Sequence, residues 1–269
     1  MLLDTFTHLQ DMTDDKFVSP LKKMNSLTES MKLYCLGVSP EDWSLVSNIV
    51  YESGDIIVPF FGIHPCHVNH TPPGWENQLK NICVKHIESG VGEIGLDKAT
   101  KATDYEKQKE IFKAQVNLSE KLLRPMVISC VQAWDDLYSV LSGINTYSSR
   151  FMIKAYDGPS SMLKKLLDLG GFISFSHRQL ASGKEFIKNL LADVPLDRLL
   201  VGTDYPFSEN RKIEAVTSYD KYLARLRETY TLARQGRDIE EAEFKKTLYA
   251  NGDYFVTGHK NPKDKKKLL

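Results

Sequence analysis

The sequence predicts an α/β fold: a (β/α)8 TIM barrel forming a single domain. Short segments rich in β-branched and aromatic residues recur about every twenty to thirty-five residues and alternate with polar stretches of helical period, the pattern of parallel strands joined by crossover helices. There are eight such segments, the number that closes a barrel. Ionisable side chains also gather at the segment ends, where the loops of a barrel converge on one pocket. With 269 residues, 42% hydrophobic and 26% charged, the chain is long enough to bury a sizeable core, and its composition excludes disorder as the main state.

In chain order the strands are read at 2–6, 32–36, 56–61, 90–94, 126–129, 151–155, 172–175 and 199–203. Between the second and third, Ser39-Pro40-Glu41-Asp42 reads as an N-cap with proline in the first turn, opening a helix toward Tyr51. From Glu106 to Leu123, the residues Ile111, Ala114, Leu118 and Leu122 fall on one helical face that packs on the sheet. Further helices are expected at 160–169, 183–192, 217–234 and 239–251. No repeat, linker or composition shift divides residues 1–257, which are expected to form one domain, and 258–269 read as a basic, disordered tail.

Several function classes are disfavoured. The longest apolar run, 56–63, is interrupted by Pro59 and Gly62 and is far short of the roughly 18 residues a membrane span needs. The first residues lack the basic and apolar regions of a signal peptide, so a cytoplasmic protein is expected, with Cys35, Cys66, Cys83 and Cys130 as reduced thiols. No pair among them has zinc-type spacing. Formal charge is balanced at 35 basic against 35 acidic residues. Residues 260–269 carry five Lys and one Asp, a surplus of four, which leaves the remainder at minus four. Bulk charge therefore gives no support for tight nucleic-acid binding.

The polar groups at the strand ends are His8, His64, Glu93 with Asp97, Ser129, Lys154, His177 and Asp204. Buried charges cost several kcal/mol unless paired or metal-bound, so this crowding asks for a site. Each residue also has a plainer reading. His8 shares the strand face of Phe6 and is either a ligand or a satisfied core histidine. Glu93 could form a structural salt bridge to Lys154, and Asp204 before Tyr205-Pro206 could shape a turn. His64 could contact substrate or orient its loop. His67 and His70 read as exposed loop residues. Cys130 alternates with Ser129 and so points away from the pocket.

These residues resemble the TatD-type deoxyribonucleases of the metal-dependent hydrolase superfamily, TIM barrels that cleave phosphodiesters with divalent metals. Residues 3–9 (Leu-Asp-Thr-Phe-Thr-His-Leu) are similar to the family's D-x-H-x-H-L, and Phe61-Gly62-Ile63-His64-Pro65 to its G-[IL]-H-P. Residues 91–97 (Val-Gly-Glu-Ile-Gly-Leu-Asp) resemble G-E-I-G-L-D, and 199–206 resemble L-L-x-E-T-D-x-P. The helix 108–115 is similar to Q-x-x-x-F-x-x-Q, the stretch 124–128 to the approach to P-V-I-x-H, and 247–255 to the closing T-x-x-N-x-x-x-x-F. In this order and spacing, covering nearly the whole body, they form a specific signature.

The resemblance implies a metal site with His8, Glu93 and Asp204 as ligands, Asp204 and Glu93 as the catalytic pair, and His64, Lys154, His177 and Ser129 around the substrate. The implied cofactor is a divalent ion (Mg, Mn or Zn), and the implied partner is DNA. Three of the family's six ligand positions depart from it: Phe6 and Ser129 stand at two histidines, and Lys154 at the histidine of the strand-six motif. Phe offers no lone pair, Ser a weak neutral oxygen, and an ammonium repels a cation. Three protein ligands cannot hold two ions well, and one ion remains conceivable, with His177 as a further imidazole. Two expectations follow: a TatD-like hydrolase that cleaves phosphodiesters with one or two divalent ions, or a non-catalytic barrel that binds a nucleic acid or a protein, with Lys154 in place of the metal's charge. Lys154 could also stabilise a substrate phosphate, and the fold leaves hydrolysis of another ester or amide open.

Overall fold

Eight parallel strands in the order β1 to β8 form a nearly closed barrel. The structure is a computed structural model and describes residues 1–11, 30–145, 149–206, 208–209, 212–213 and 219–259. The strands are β1 (Leu2–Thr7), β2 (Met31–Leu36), β3 (Ile57–Phe61), β4 (Gly90–Asp97), β5 (Met126–Val131), β6 (Phe151–Ile153), β7 (Phe172–Ser176) and β8 (Leu199–Gly202). Helices α1 (Trp43–Ser53), α2 (Trp75–Lys85), α3 (Tyr105–Leu122), α4 (Trp134–Leu141), α5 (Ser160–Asp168), α6 (His177–Ala181), α7 (Glu185–Asp193), α8 (Tyr219–Arg234) and α9 (Glu241–Thr257) lie between and after them. Among the described residues no helix is long and apolar enough to cross a membrane. All four cysteines are free thiols. The basic residues expected to form a tail, from Lys260 on, lie outside the described residues.

Two apolar layers follow from strand alternation. One set of side chains, including Leu33, Ile94, Ile128, Ile153 and Val201, points outward and packs under the helices. The other fills the barrel interior: Leu3, Phe6, Tyr34, Leu36, Val58, Phe60, Val127, Met152, Phe172 and Leu200, joined by Phe255 of α9. Phe255 stacks on Phe60 at 6.1 Å and meets Phe172 edge-on at 5.6 Å, so the last helix is anchored inside the barrel it completes.

The seam between β1 and β8 is made differently from the other strand pairs. The β1–β2 register shifts between Asp4 and Thr7, which lets Leu3 and Phe6 both face inward. Across the seam Thr5 Oγ1 donates to the Val201 carbonyl (2.9 Å), the Asp204 N–H to the Phe6 carbonyl (3.1 Å), and the His8 N–H to the Tyr205 carbonyl (2.6 Å). The buried Asp4 carboxyl bridges the same seam. It accepts from the Thr203 N–H (2.8 Å), from the Thr203 hydroxyl, and from the Tyr222 hydroxyl of α8 (2.9 Å).

Several sequence expectations need correction. Ser39 does not cap α1, which starts at Trp43. The Asp42 carboxylate instead accepts from the Val38 N–H (2.9 Å) and from Gln10 Nε2 (3.2 Å), so 39–42 forms a turn before the helix. β6 stops at Ile153, leaving Lys154 in the loop just beyond it. The last helix runs on to Thr257 because Phe255 belongs to the barrel interior. Helices α2, α4 and α6 were not anticipated; α2 and α4 each bury only one i, i+4 pair, Leu79 with Cys83 and Leu137 with Leu141.

Burial raises the Asp4 carboxyl to about 6, against the opposing pull of its Thr203 and Tyr222 hydrogen bonds. The folded chain therefore favours the protonated acid. That contribution is complete below the unfolded value near 4 and is lost as pH rises through about 6. Urea unfolding should show stability falling across this window in the wild type and much less in Asp4→Asn. Asp4→Ala, which strands the Thr203 N–H, the Thr203 and Tyr222 hydroxyls and the Phe6 N–H, should cost about 3 kcal/mol or more at pH 5.

Candidate functional site

Five polar side chains converge at the carboxyl ends of the strands: His8, His64, Glu93, Lys154 and Asp204. Glu93 lies within β4, its side chain only 3% exposed, and its N–H donates to the Gly37 carbonyl (2.8 Å). Asp204 follows β8 with φ +60°, a left-handed conformation Asp tolerates better than most residues, and is fixed there by the seam hydrogen bond to Phe6. Lys154 leaves β6 with its N–H on the Ile128 carbonyl (2.8 Å). The loop after it is held by Gln179 of α6, whose amide donates to the carbonyls of Ala155 (2.9 Å) and Tyr156 (3.0 Å).

The Lys154 ammonium is the centre of this group. Nζ donates to Glu93 Oε2 at 2.8 Å and forms an ion pair with Asp204 Oδ1, also at 2.8 Å. It lies 3.2 Å from His8 Nε2 and 5.4 Å from the centroid of the Phe6 ring. Burial disfavours the charged lysine, but the two carboxylates outweigh it and hold the ammonium well above its usual range. Reciprocally, burial works against the carboxylates while Lys154 and His8 keep Glu93 and Asp204 well below the ordinary carboxylate range.

The two histidines differ. His8 Nδ1 lies 3.0 Å from the Leu36 carbonyl, which requires a proton on that nitrogen, and Nε2 faces Glu93 (3.4 Å) and Asp204 (3.7 Å). Burial and Lys154 push His8 down, yet hydrogen bonds to the two carboxylates prevail and raise it to about 9. His64 is lowered to about 4, by burial first and by the Lys154 and His8 cations, against the pull of Glu93. Neutral His64 accepts the Cys66 N–H on Nδ1 (3.3 Å), placing its proton on Nε2, 3.5 Å from Glu93 Oε1. With His8 protonated the group holds two carboxylates and two cations, and its charges balance.

Of the residues expected around the site, the structure brings together His8, His64, Glu93, Lys154 and Asp204. His177 opens α6 and pairs through Nε2 with Glu228 of α8 (3.0 Å), which directs it toward that helix. Ser129 is half-buried on β5, in register with Gly95 of β4. Cys130 lies in the outer layer under the helices, and burial raises its thiol to about 12. Sequence reasoning missed Cys66, whose exposed thiol lies 2.9 Å from His64 Nδ1; its place directly after His64-Pro65 was the available signal.

A divalent ion does not fit these residues. Where an ion would be ligated by His8, Glu93 and Asp204, the ammonium already touches all three, and Phe6 closes the adjacent wall with a ring that has no lone pair. Among the described residues no group of three or more His, Cys, Asp or Glu is arranged to hold a metal.

The model of TatD-related DNases matches residues 3–255. The TATDN1 homolog of Enterocytozoon bieneusi is 31% identical over 175 residues, 61% of this chain and 61% of its own length. The chain therefore aligns with about three-fifths of that relative. The metal-dependent hydrolase YabD of Bacillus subtilis, itself uncharacterized, is 22% identical over 229 residues, covering 83% of this chain and 89% of YabD. The crystal structure of YJJV, a TatD homolog of Escherichia coli, superposes with a TM-score of 0.81 at 18% identity, over 96% of this chain and 98% of that one, and so shares the fold.

Lys154→Met should strand the buried Glu93 charge and cost about 3 kcal/mol or more in urea unfolding at neutral pH. Asp204→Asn, at a carboxylate 44% exposed, should cost no more than about 1 kcal/mol. Equal costs would mean that Glu93 is solvated without Lys154.

Proposed function

The chain belongs to the TatD-related DNase family, and from that premise we propose that it keeps the family's barrel as a single domain over residues 1–257 and uses its mouth to bind the phosphodiester backbone of a nucleic acid, with Lys154 in the place of a divalent ion and no metal-dependent cleavage. The observation that carries this reading is the 2.8 Å approach of one ammonium to both Glu93 and Asp204. A nuclease mouth stripped of metal would present two carboxylates and repel a phosphodiester. Lys154 and protonated His8 cancel that charge, so the backbone can approach without an ion to screen it. The family's description as DNases supports DNA as the nucleic acid.

In this reading Glu93 serves as the counter-ion that fixes Lys154, and His64 supports Glu93 from its far side. Asp204, the most exposed of the group, holds the second arm of the ammonium. What a phosphate oxygen meets in this reading is the positive charge of Lys154 and of protonated His8.

Calorimetric titration of EDTA-stripped protein with Mn²⁺, alongside Asp204→Asn, tests the metal half. No saturable binding by the wild type is expected. Saturable binding that disappears in Asp204→Asn, with Mn²⁺-dependent cleavage of an oligonucleotide, would instead establish a one-ion hydrolase. Fluorescence anisotropy with a labelled DNA oligonucleotide tests the binding half: equal affinity in EDTA and in Mn²⁺ is expected, and no binding in either would remove nucleic acid as the partner.

A further inference from the structure

We infer that Phe6 is a positioning residue that holds the Lys154 ammonium in place, and that the absence of a side chain at Gly202 is what allows Phe6 to do so. The inference rests on the reading of Lys154 as the occupant of the cation's place, and it names the two residues that keep it there.

Phe6 is fully buried in the barrel interior. Its ring lies 5.4 Å from Lys154 Nζ, within the range at which the negative face of an aromatic ring attracts a cation. Gly202 also lies against the ring. A Cβ built at Gly202 would lie 2.6 Å from two Phe6 ring carbons and 2.8 Å from a third, and these are the three nearest atoms to it. Any side chain at 202 would therefore displace the ring. The motif that 199–206 resembles has Glu at this position, and the motif around residue 6 has His. Here the two positions differ together, as a large apolar ring and no side chain, and the ring occupies the space that a Cβ at 202 would need.

This pair does more than fill space. A lysine stem has many rotamers, and a wall on one side reduces the conformations from which the ammonium must be recruited. An apolar wall also removes competing acceptors, so the Nζ protons point toward Glu93 and Asp204, the same two carboxylates that protonated His8 faces. Gly202 and Phe6 lie on opposite strands of the β1–β8 seam, so barrel closure brings ring and glycine together.

The test measures Lys154 acetylation by pulsed acetic anhydride and peptide mass spectrometry on the full chain, with surface lysines as internal controls. Phe6→Leu keeps the apolar bulk and loses the ring face, and should speed Lys154 acetylation about fivefold while the controls stay constant. Gly202→Ala should do the same by pushing the ring aside, and should add nothing in the Phe6→Leu background. Should Phe6→Leu fail to fold by circular dichroism, Phe6→Met and Gly202→Ala supply the same comparison. In Mn²⁺ calorimetry, Lys154→Met/Phe6→His should bind at least about tenfold more tightly than Lys154→Met, since an imidazole replaces the ring. Unchanged Lys154 acetylation in the folded Phe6 and Gly202 variants would overturn the positioning role even where Lys154→Met binds Mn²⁺. Saturable Mn²⁺ binding by the wild type would overturn the underlying reading of Lys154 and leave the acetylation comparison standing, so the two failures are distinguishable.

Discussion

Closure of the barrel between β1 and β8 is the constraint on which the site depends. The other neighbouring strands join through parallel ladders, but this seam relies on a few specific groups, with the Asp4 carboxyl bridging to Thr203 and Tyr222. Asp204 takes its position from a hydrogen bond to the Phe6 carbonyl, and His8 from one to the Tyr205 carbonyl. Two residues of the mouth are thus placed by the same few bonds that shut the barrel. A buried acid at such a point has a cost, since its ionised form loses water, and this is why it is raised toward neutrality while still accepting hydrogen bonds.

The second dependence is electrostatic. Glu93 is nearly inaccessible, and a buried carboxylate without a partner would cost several kcal/mol. A metal ion is one way to meet that cost, and an ammonium is another. With Lys154 at 2.8 Å from both carboxylates and His8 beside them, the fold satisfies the acids with its own side chains. The site is then complete at zero net charge, and a divalent ion entering it would meet two resident cations. Coulomb repulsion between close, poorly solvated charges is far larger than in bulk water, so the preference for one occupant is strong.

Much of this was legible from the sequence, for identifiable reasons. The eight strands were found because buried parallel strands read as short apolar runs, and Phe6, Ser129 and Lys154 stood out because motifs of known order surround them. The lysine's two possible partners could be named from strand ends alone. Other features were not legible. The start of α1 was misplaced because Asp42 spends its carboxylate on Val38 and Gln10, across a turn whose geometry the sequence does not display. Helices α2 and α4 were missed because each buries a single i, i+4 pair, too weak a period to register. His177 was assigned to the mouth by its position after β7, whereas Glu228, 51 residues later, engages it. The Phe6–Gly202 contact joins residues at opposite ends of the barrel sequence, and only closure makes them neighbours.

Retained acids are a weak sign of a retained metal. Glu93 and Asp204 keep the identity and placement that a metal-binding barrel would give them, yet each is accounted for without an ion: Glu93 by Lys154, His8 and His64, Asp204 by Lys154 and the seam. Of the two carboxylates, Glu93 is the one whose burial makes the pairing necessary, since water can reach the 44% exposed Asp204. The ion pairs of Lys154 thus account for both acidic residues with the chain's own side chains.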